Sequence, residues 1–156
     1  MVAELLLVLA LQADPTLAEY VFIARHNEFI AKLVKPDSKD TPLVKLQKAR
    51  ARSRALFVCK VEELMLNSSW PVLHIKECAA EHLVLWENLE ELAQTPADKL
   101  KCAEMRIEAA KEYEKFIATR VEVGSDPSMN SNFATAARID AEINLLKLKE
   151  SLKDKK

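Results

Sequence analysis

The chain has 156 residues, 49% of them hydrophobic and 30% charged, with 23 basic against 24 acidic side chains and a formal net charge of -1. That length suits one domain with a modest core. A single glycine, Gly124, is too few for a turn-rich β protein or a glycine-lined phosphate loop, and the balanced charge removes the electrostatic case for nucleic acid as a partner.

Residues 1–13 form an apolar segment, interrupted only by Glu4 and Gln12. A helix needs about 20 apolar residues to span a bilayer, so no transmembrane span is expected here. The run resembles a signal-peptide core ending at Ala13, but no basic leader precedes it and Glu4 sits where a cation belongs. Two readings stand: a degenerate secretory signal, or a first helix capping a bundle, with the charge pattern favouring the helix. Residues 14–40 begin at the break Asp14-Pro15-Thr16. From Leu17 to about Val34 the pattern is helical, with Leu17, Val21 and Ala24 on one stripe and Phe22, Phe29 and Leu33 beside it. Lys35 to Asp40 is a polar loop.

Residues 41–94 read as a helical hairpin. Thr41 is the N-cap and Pro42 the first helical residue of a helix ending near Leu66. Leu46, Ala49, Leu56, Phe57, Val61 and Leu64 are expected to face inward. Asn67 and Trp70-Pro71 break the chain direction. The return helix runs from about Val72 to Ala93, and Ile75, Ala79, His82, Trp86, Leu89 and Ala93 form a heptad seam.

Residues 95–156 read as a second hairpin with a basic tail. Thr95 caps, Pro96 opens, and Asp98 sits in the first turn, where the helix dipole favours an anion. Leu100, Ala103, Ile107, Ala110, Ile117 and Val121 make a seam broken by Glu114. Gly124 is the left-handed stop. The last helix should run from about Asn130 to Leu152 with Phe133, Ala136, Ile139, Ile143 and Leu146 inside. Lys147, Lys149, Lys153, Lys155 and Lys156 complement the end of its dipole.

The two hairpins echo one another. Thr41-Pro42 and Lys45-Leu46 return as Thr95-Pro96 and Lys99-Leu100; Ala49, Arg52 and Ala55 return at the same offset as Ala103, Arg106 and Ala109. Slightly further apart, Ala79-Ala80 and Leu89 find Ala136-Ala137 and Leu146, and Asn67 finds Gly124. Each copy would be one supersecondary unit needing a neighbour to bury its apolar face. The expected fold is all-α: two stacked, long antiparallel hairpins with coiled-coil-like packing, plus an N-terminal helical segment. Helices of about 24 residues would be about 36 Å long.

Reactive side chains are few. His74, Cys78 and His82 share one helix face at successive four-residue steps, and Cys59 lies level with Cys78 across the corner, so Cys59, Cys78 and one histidine could hold a metal or take part in redox chemistry. A Cys59–Cys78 disulfide would need facing Cβ vectors. The structural reading is stronger: His82 a core histidine bonded to a carboxylate, His74 solvated, the cysteines small apolar fillers. The Glu-x-x-His pairs of di-iron bundles are absent. No catalytic residue, cofactor or metal is therefore expected. Lys45, Lys48, Arg50, Arg52 and Arg54 spread around their helix as a solvated face, though a basic helix can also dock on anionic surfaces. Trp70, beside a proline at a hairpin tip, and Glu114, on a seam, are candidate interaction residues.

Thr95-Pro96-Ala97-Asp98-Lys99-Leu100, Ala109-Ala110-Lys111-Glu112-Tyr113-Glu114, Arg120-Val121-Glu122-Val123-Gly124 and Ala136-Ala137-Arg138-Ile139-Asp140-Ala141-Glu142-Ile143 together resemble the helical repeats of TolC-like outer-membrane efflux proteins. The likeness is closest to short, barrel-free secreted relatives of planctomycete type. It is clearest over residues 95–149 and weaker over 41–92. It departs at Met129-Asn130-Ser131-Asn132 and at Asn67 and Trp70-Pro71, and no segment alternates like barrel strands. The resemblance implies a non-enzymatic module of the periplasm or cell envelope, working through helix–helix contacts with itself, as a homo-oligomer, or with another envelope protein. The runner-up is a cytosolic helical bundle using His74, Cys78, His82 and Cys59 for metal or redox binding.

Overall fold

The computed structural model describes residues 26–66, 75–122, 124 and 127–154. Five helices dominate them: α1 (Asn27–Val34), α2 (Pro42–Leu66), α3 (Ile75–Leu92), α4 (Pro96–Glu122) and α5 (Ser128–Lys153). No strand occurs among the described residues, so the protein is all-α there, as its composition predicts. The chain divides into two compact units with the boundary between Leu92 and Ala93. The apolar N-terminal segment, the first part of the predicted 17–34 helix, the Asn67 corner with Trp70 and Pro71, His74, and the terminal Lys155 and Lys156 lie outside the described residues.

In the first unit α2 packs on α3, and α1 lies against both. The loop before α2 is tied by aspartates: the Lys39 N–H donates to Asp37 Oδ1 and the Asp37 N–H to Asp40 Oδ2, each at 2.9 Å. Thr41 then caps α2. Its Oγ1 accepts from the Val44 N–H at 3.3 Å and its carbonyl from the Lys45 N–H at 3.0 Å. Pro42 follows, where a missing N–H loses nothing.

Ile30, Leu33 and Val34 of α1 meet a core of Leu85, Trp86, Leu89 and Leu92 from α3 and Ala51, Ala55 and Val58 from α2. Trp86 and Leu89 are fully buried, as the heptad of α3 predicts. The rotation of α2 differs from expectation. Leu46 is 70% and Phe57 43% exposed, while Ala49 and Leu56 are only half-buried. A close-packed interior explains this: α1 and α3 already supply the bulk, and the space left admits small side chains on α2. Val61 and Leu64 belong to a stretch of α2 whose side chains are not described.

In the second unit α4 and α5 form an antiparallel pair. Thr95 repeats the capping geometry, its Oγ1 accepting from the Asp98 N–H at 3.1 Å and its carbonyl from the Lys99 N–H at 3.0 Å. Gly124 follows the end of α4 with φ +70°, and its N–H donates to the Val121 carbonyl at 3.0 Å. A Cβ there would meet nothing within 4 Å. The position therefore favours glycine through backbone conformation, not lack of room.

The α4 seam is as predicted: Ala103, Ile107, Ala110 and Ile117 are buried, with Leu100 and Val121 half-buried. On α5 the expectation fails. Phe133, Ile139, Ile143 and Leu146 are exposed, as is Ala136, and the buried positions are Asn130, Ala134 and Ala141. With isoleucines supplied by α4, alanines on α5 let the two backbones approach closely.

Candidate functional site

Glu114 interrupts the apolar seam of α4 and is the centre of a polar bridge to α5. Thr135 Oγ1 donates to its Oε1 at 2.6 Å, and Arg138 Nε donates to its Oε2 at 2.7 Å. Arg138 also donates through a terminal nitrogen to Glu142 Oε1 at 2.9 Å, one helical turn on. Glu114 and Arg138 side chains are each 26% exposed. The Thr135 hydroxyl, opposed by partial desolvation and reinforced by Arg138, holds the Glu114 carboxyl below its ordinary value. Arg138 is shifted upward by its bonds to Glu142 and Glu114. Such a bridge fixes the longitudinal register of two otherwise smooth alanine-rich helices. The sequence marks Glu114 by its break in the seam. Thr135 and Arg138 go unmarked there, although both lie nearly level with Glu114 across the Gly124 corner.

In the first unit His82 lies beside the start of α1. Its Nε2 is buried. Burial lowers its pKa to about 4, and the nearby charge of His26 adds to the effect. His26 in turn stands edge-on to Trp86, with ring centroids 5.7 Å apart at 81°. His82 is therefore a half-buried histidine at the edge of the core, its inward nitrogen desolvated and its ring held neutral near pH 7. His26 was not among the residues singled out from sequence; it is distant along the chain and reaches this place only through the packing of α1.

The cationic run on α2 is largely engaged with acids. Lys48 Nζ donates to both carboxylate oxygens of Asp40 at 2.8 Å and to the Lys35 carbonyl at 2.7 Å. Asp40 is accordingly held below the usual carboxylate value, first by Lys48 and then by the Asp37 N–H. Arg50 bridges to Glu91 at 2.7 Å, and Arg54 pairs with Glu81. Both link α2 to α3. The run is less a solvated face than the polar edge of a helix pair, each exposed bridge adding little by itself.

Cys59 is half-buried on α2. Cys78 falls within α3, in the stretch whose side chains are not described, and His74 and Trp70 fall outside the described residues altogether. Among the described residues no group of three or more histidines, cysteines or acids comes together as a metal would require. No helix among them is long and apolar enough to cross a membrane.

Among the described residues, α5 carries most of the exposed large apolar side chains, along its outer face. Met129 is 57%, Phe133 65%, Ile139 43%, Ile143 42% and Leu146 61% exposed. Opposite this stripe, Ala134 and Ala141 are buried, and Leu145, Leu148 and Leu152 are half-buried. Thus α5 carries two apolar stripes and uses one of them on α4. The sequence holds the signal for this: a helix apolar along two faces carries more apolar surface than one neighbouring helix covers.

Comparison of the sequence with protein-family profiles and with curated proteins, and of the fold with solved structures, gives no match.

Proposed function

We propose that this protein is a non-enzymatic, TolC-like helical module of the cell envelope, acting through helix–helix contacts. The observation that carries the proposal is the exposed apolar stripe of α5, on a helix already anchored to α4 through its opposite face. Contiguous exposed apolar surface of this kind marks a contact site on a soluble helix pair. The resemblance of residues 95–149 to TolC-like repeats supplies the envelope assignment.

A photoreactive amino acid placed at Ile143 in the native host tests both parts. The expected result is a crosslinked protein adduct recovered with the periplasmic or envelope fraction. The absence of any adduct at Ile143, with a control at Ser151 equally bare, overturns the contact function. An adduct confined to the cytosol overturns the envelope assignment.

A further inference from the structure

The exposed stripe of α5 keeps heptad spacing. Met129, Ala136 and Ile143 occupy one core position of the repeat, and Asn132, Ile139 and Leu146 the other, with Phe133 beside them. Ala134 and Ala141, which are buried, occupy the position farthest from that seam. Helix α4 is therefore on the far side of α5, and the stripe is accessible along its length.

From this we infer that the outer face of α5 pairs with the same face of a second copy of this chain, parallel and in register. The inference rests on the helix-contact function proposed above and names its partner. Charge complementarity selects the geometry. In a parallel pair, each residue flanking the seam on one side meets the flanking residue five positions further along the second copy. Glu142 then faces Lys147 of the second copy, and by symmetry Lys147 faces Glu142. Lys149 and Asp154 stand in the same relation one heptad later. All four contacts are attractive. An antiparallel pair that sets Ile139 against Ile143 instead places Glu142 opposite Glu142 and Asp140 opposite Asp140, both repulsive. The apolar seam ends after Leu146, because Glu150 and Lys153 take the next core positions.

The area sets the strength. The exposures of Met129, Phe133, Ile139, Ile143 and Leu146 amount to roughly 500 Å² of surface per chain, against about 800 Å² per partner in an interface of ordinary size. Flanking Glu142, Lys147 and Lys149 bring the contact to the lower end of that range. The pair is thus a weak, concentration-dependent dimer, further weakened by salt acting on exposed ion pairs.

Sedimentation equilibrium of the full purified chain from roughly 1 to 200 μM tests it. A monomer–dimer equilibrium is expected, with Ile143→Asp raising the dissociation constant at least tenfold while the far-ultraviolet circular dichroism stays unchanged. Lys147→Glu, a surface change with no bearing on folding, should weaken the dimer several-fold. Adding Glu142→Lys to it should restore association, because the parallel pairing is then reversed in sign on both sides; urea unfolding of the double variant is read alongside, since Glu142 also accepts from Arg138 within the chain. A chain that stays monomeric throughout overturns the inference, as does a dimer indifferent to Ile143→Asp, or a charge-swapped double variant weaker than Lys147→Glu. A monomeric chain that still forms an adduct at Ile143 in the host overturns self-pairing alone and leaves the helix-contact function standing.

Discussion

His82 should make the first unit acid-sensitive well above the range where carboxylates titrate. Its folded pKa is about 4 against an ordinary 6.5. Above pH 6.5 both the folded and unfolded chains hold it neutral, and stability is flat. As pH falls through 6.5 the unfolded chain binds a proton that the folded chain refuses, so stability is lost, at up to about 1.4 kcal/mol per pH unit. The full span to pH 4 corresponds to about 3 kcal/mol. Between pH 6.5 and 5, above the carboxylate range, the loss should be about 1–2 kcal/mol, since the unfolded group is only partly protonated at the upper end. Urea titration followed by tryptophan fluorescence reads this directly, because Trp86 is buried in the same core and stacked edge-on against His26. With a urea slope of about 1–3 kcal/mol per molar, the midpoint should drop by roughly 0.5–1 M between those two pH values. In His82→Leu the drop should largely vanish, whatever the variant's stability at pH 7.5. Equal midpoint shifts in the wild-type chain and His82→Leu would refute the reasoning, since the loss would then belong to other groups.

Three further outcomes follow from the second unit. In a double-mutant cycle of Glu114→Gln and Arg138→Ala, urea unfolding at pH 7 should give a favourable coupling between the two side chains. Because the Glu114 carboxyl is held below its ordinary 4.5, that coupling should be whole above this pH and fade as pH falls beneath it; an unchanged value at pH 3 argues against it. Gly124→Ala should cost about 1 kcal/mol in thermal or urea unfolding through its φ of +70°, and Gly124→Asn less. Ala134→Leu should destabilise by about 1–3 kcal/mol by forcing α4 and α5 apart, whereas Ile143→Ser on the outer face should change monomer stability by no more than about 0.5 kcal/mol. Reversal of that order in dilute solution would mean the two faces of α5 are assigned the wrong way round.

Helix positions were legible wherever a local chemical signal exists. Thr41-Pro42 and Thr95-Pro96 announce helix starts because a hydroxyl cap and a residue without an N–H solve the same end problem in every helix. Gly124 announces a stop because few other residues adopt its conformation. The rotation of α3 and α4 was legible in part: Trp86, Leu89, Ile107 and Ile117 lie on the expected seams and are buried, and Leu85, Cys102 and Met105 join them from beside those seams. The rotations of α2 and α5 were not. Both helices carry a small-residue stripe beside a large-residue stripe, and the larger side chains look like the better core. His26 and Arg138 escaped for a different reason: the sequence shows neither the α1–α3 packing nor the α4–α5 register that brings them to His82 and Glu114.

The preference for alanine on the inner face of α5 has a physical cause that bears on function. Large side chains inside would increase the distance between α4 and α5 and lengthen the reach of Glu114 to Thr135 and Arg138, which is 2.6 and 2.7 Å. Close approach keeps that bridge short and its carboxylate partly desolvated, where hydrogen bonds to charge are strongest. The bulky Phe133, Ile139, Ile143 and Leu146 are then left for the opposite side, where transfer out of water is favourable only if another surface arrives. Burial on that face is thus absent from the folded unit, and the proposed association would supply it. A helix built this way is held in its unit by short polar contacts, buried alanines and the half-buried Leu145, Leu148 and Leu152, and leaves Phe133, Ile139, Ile143 and Leu146 exposed as the surface that the proposed pairing would cover.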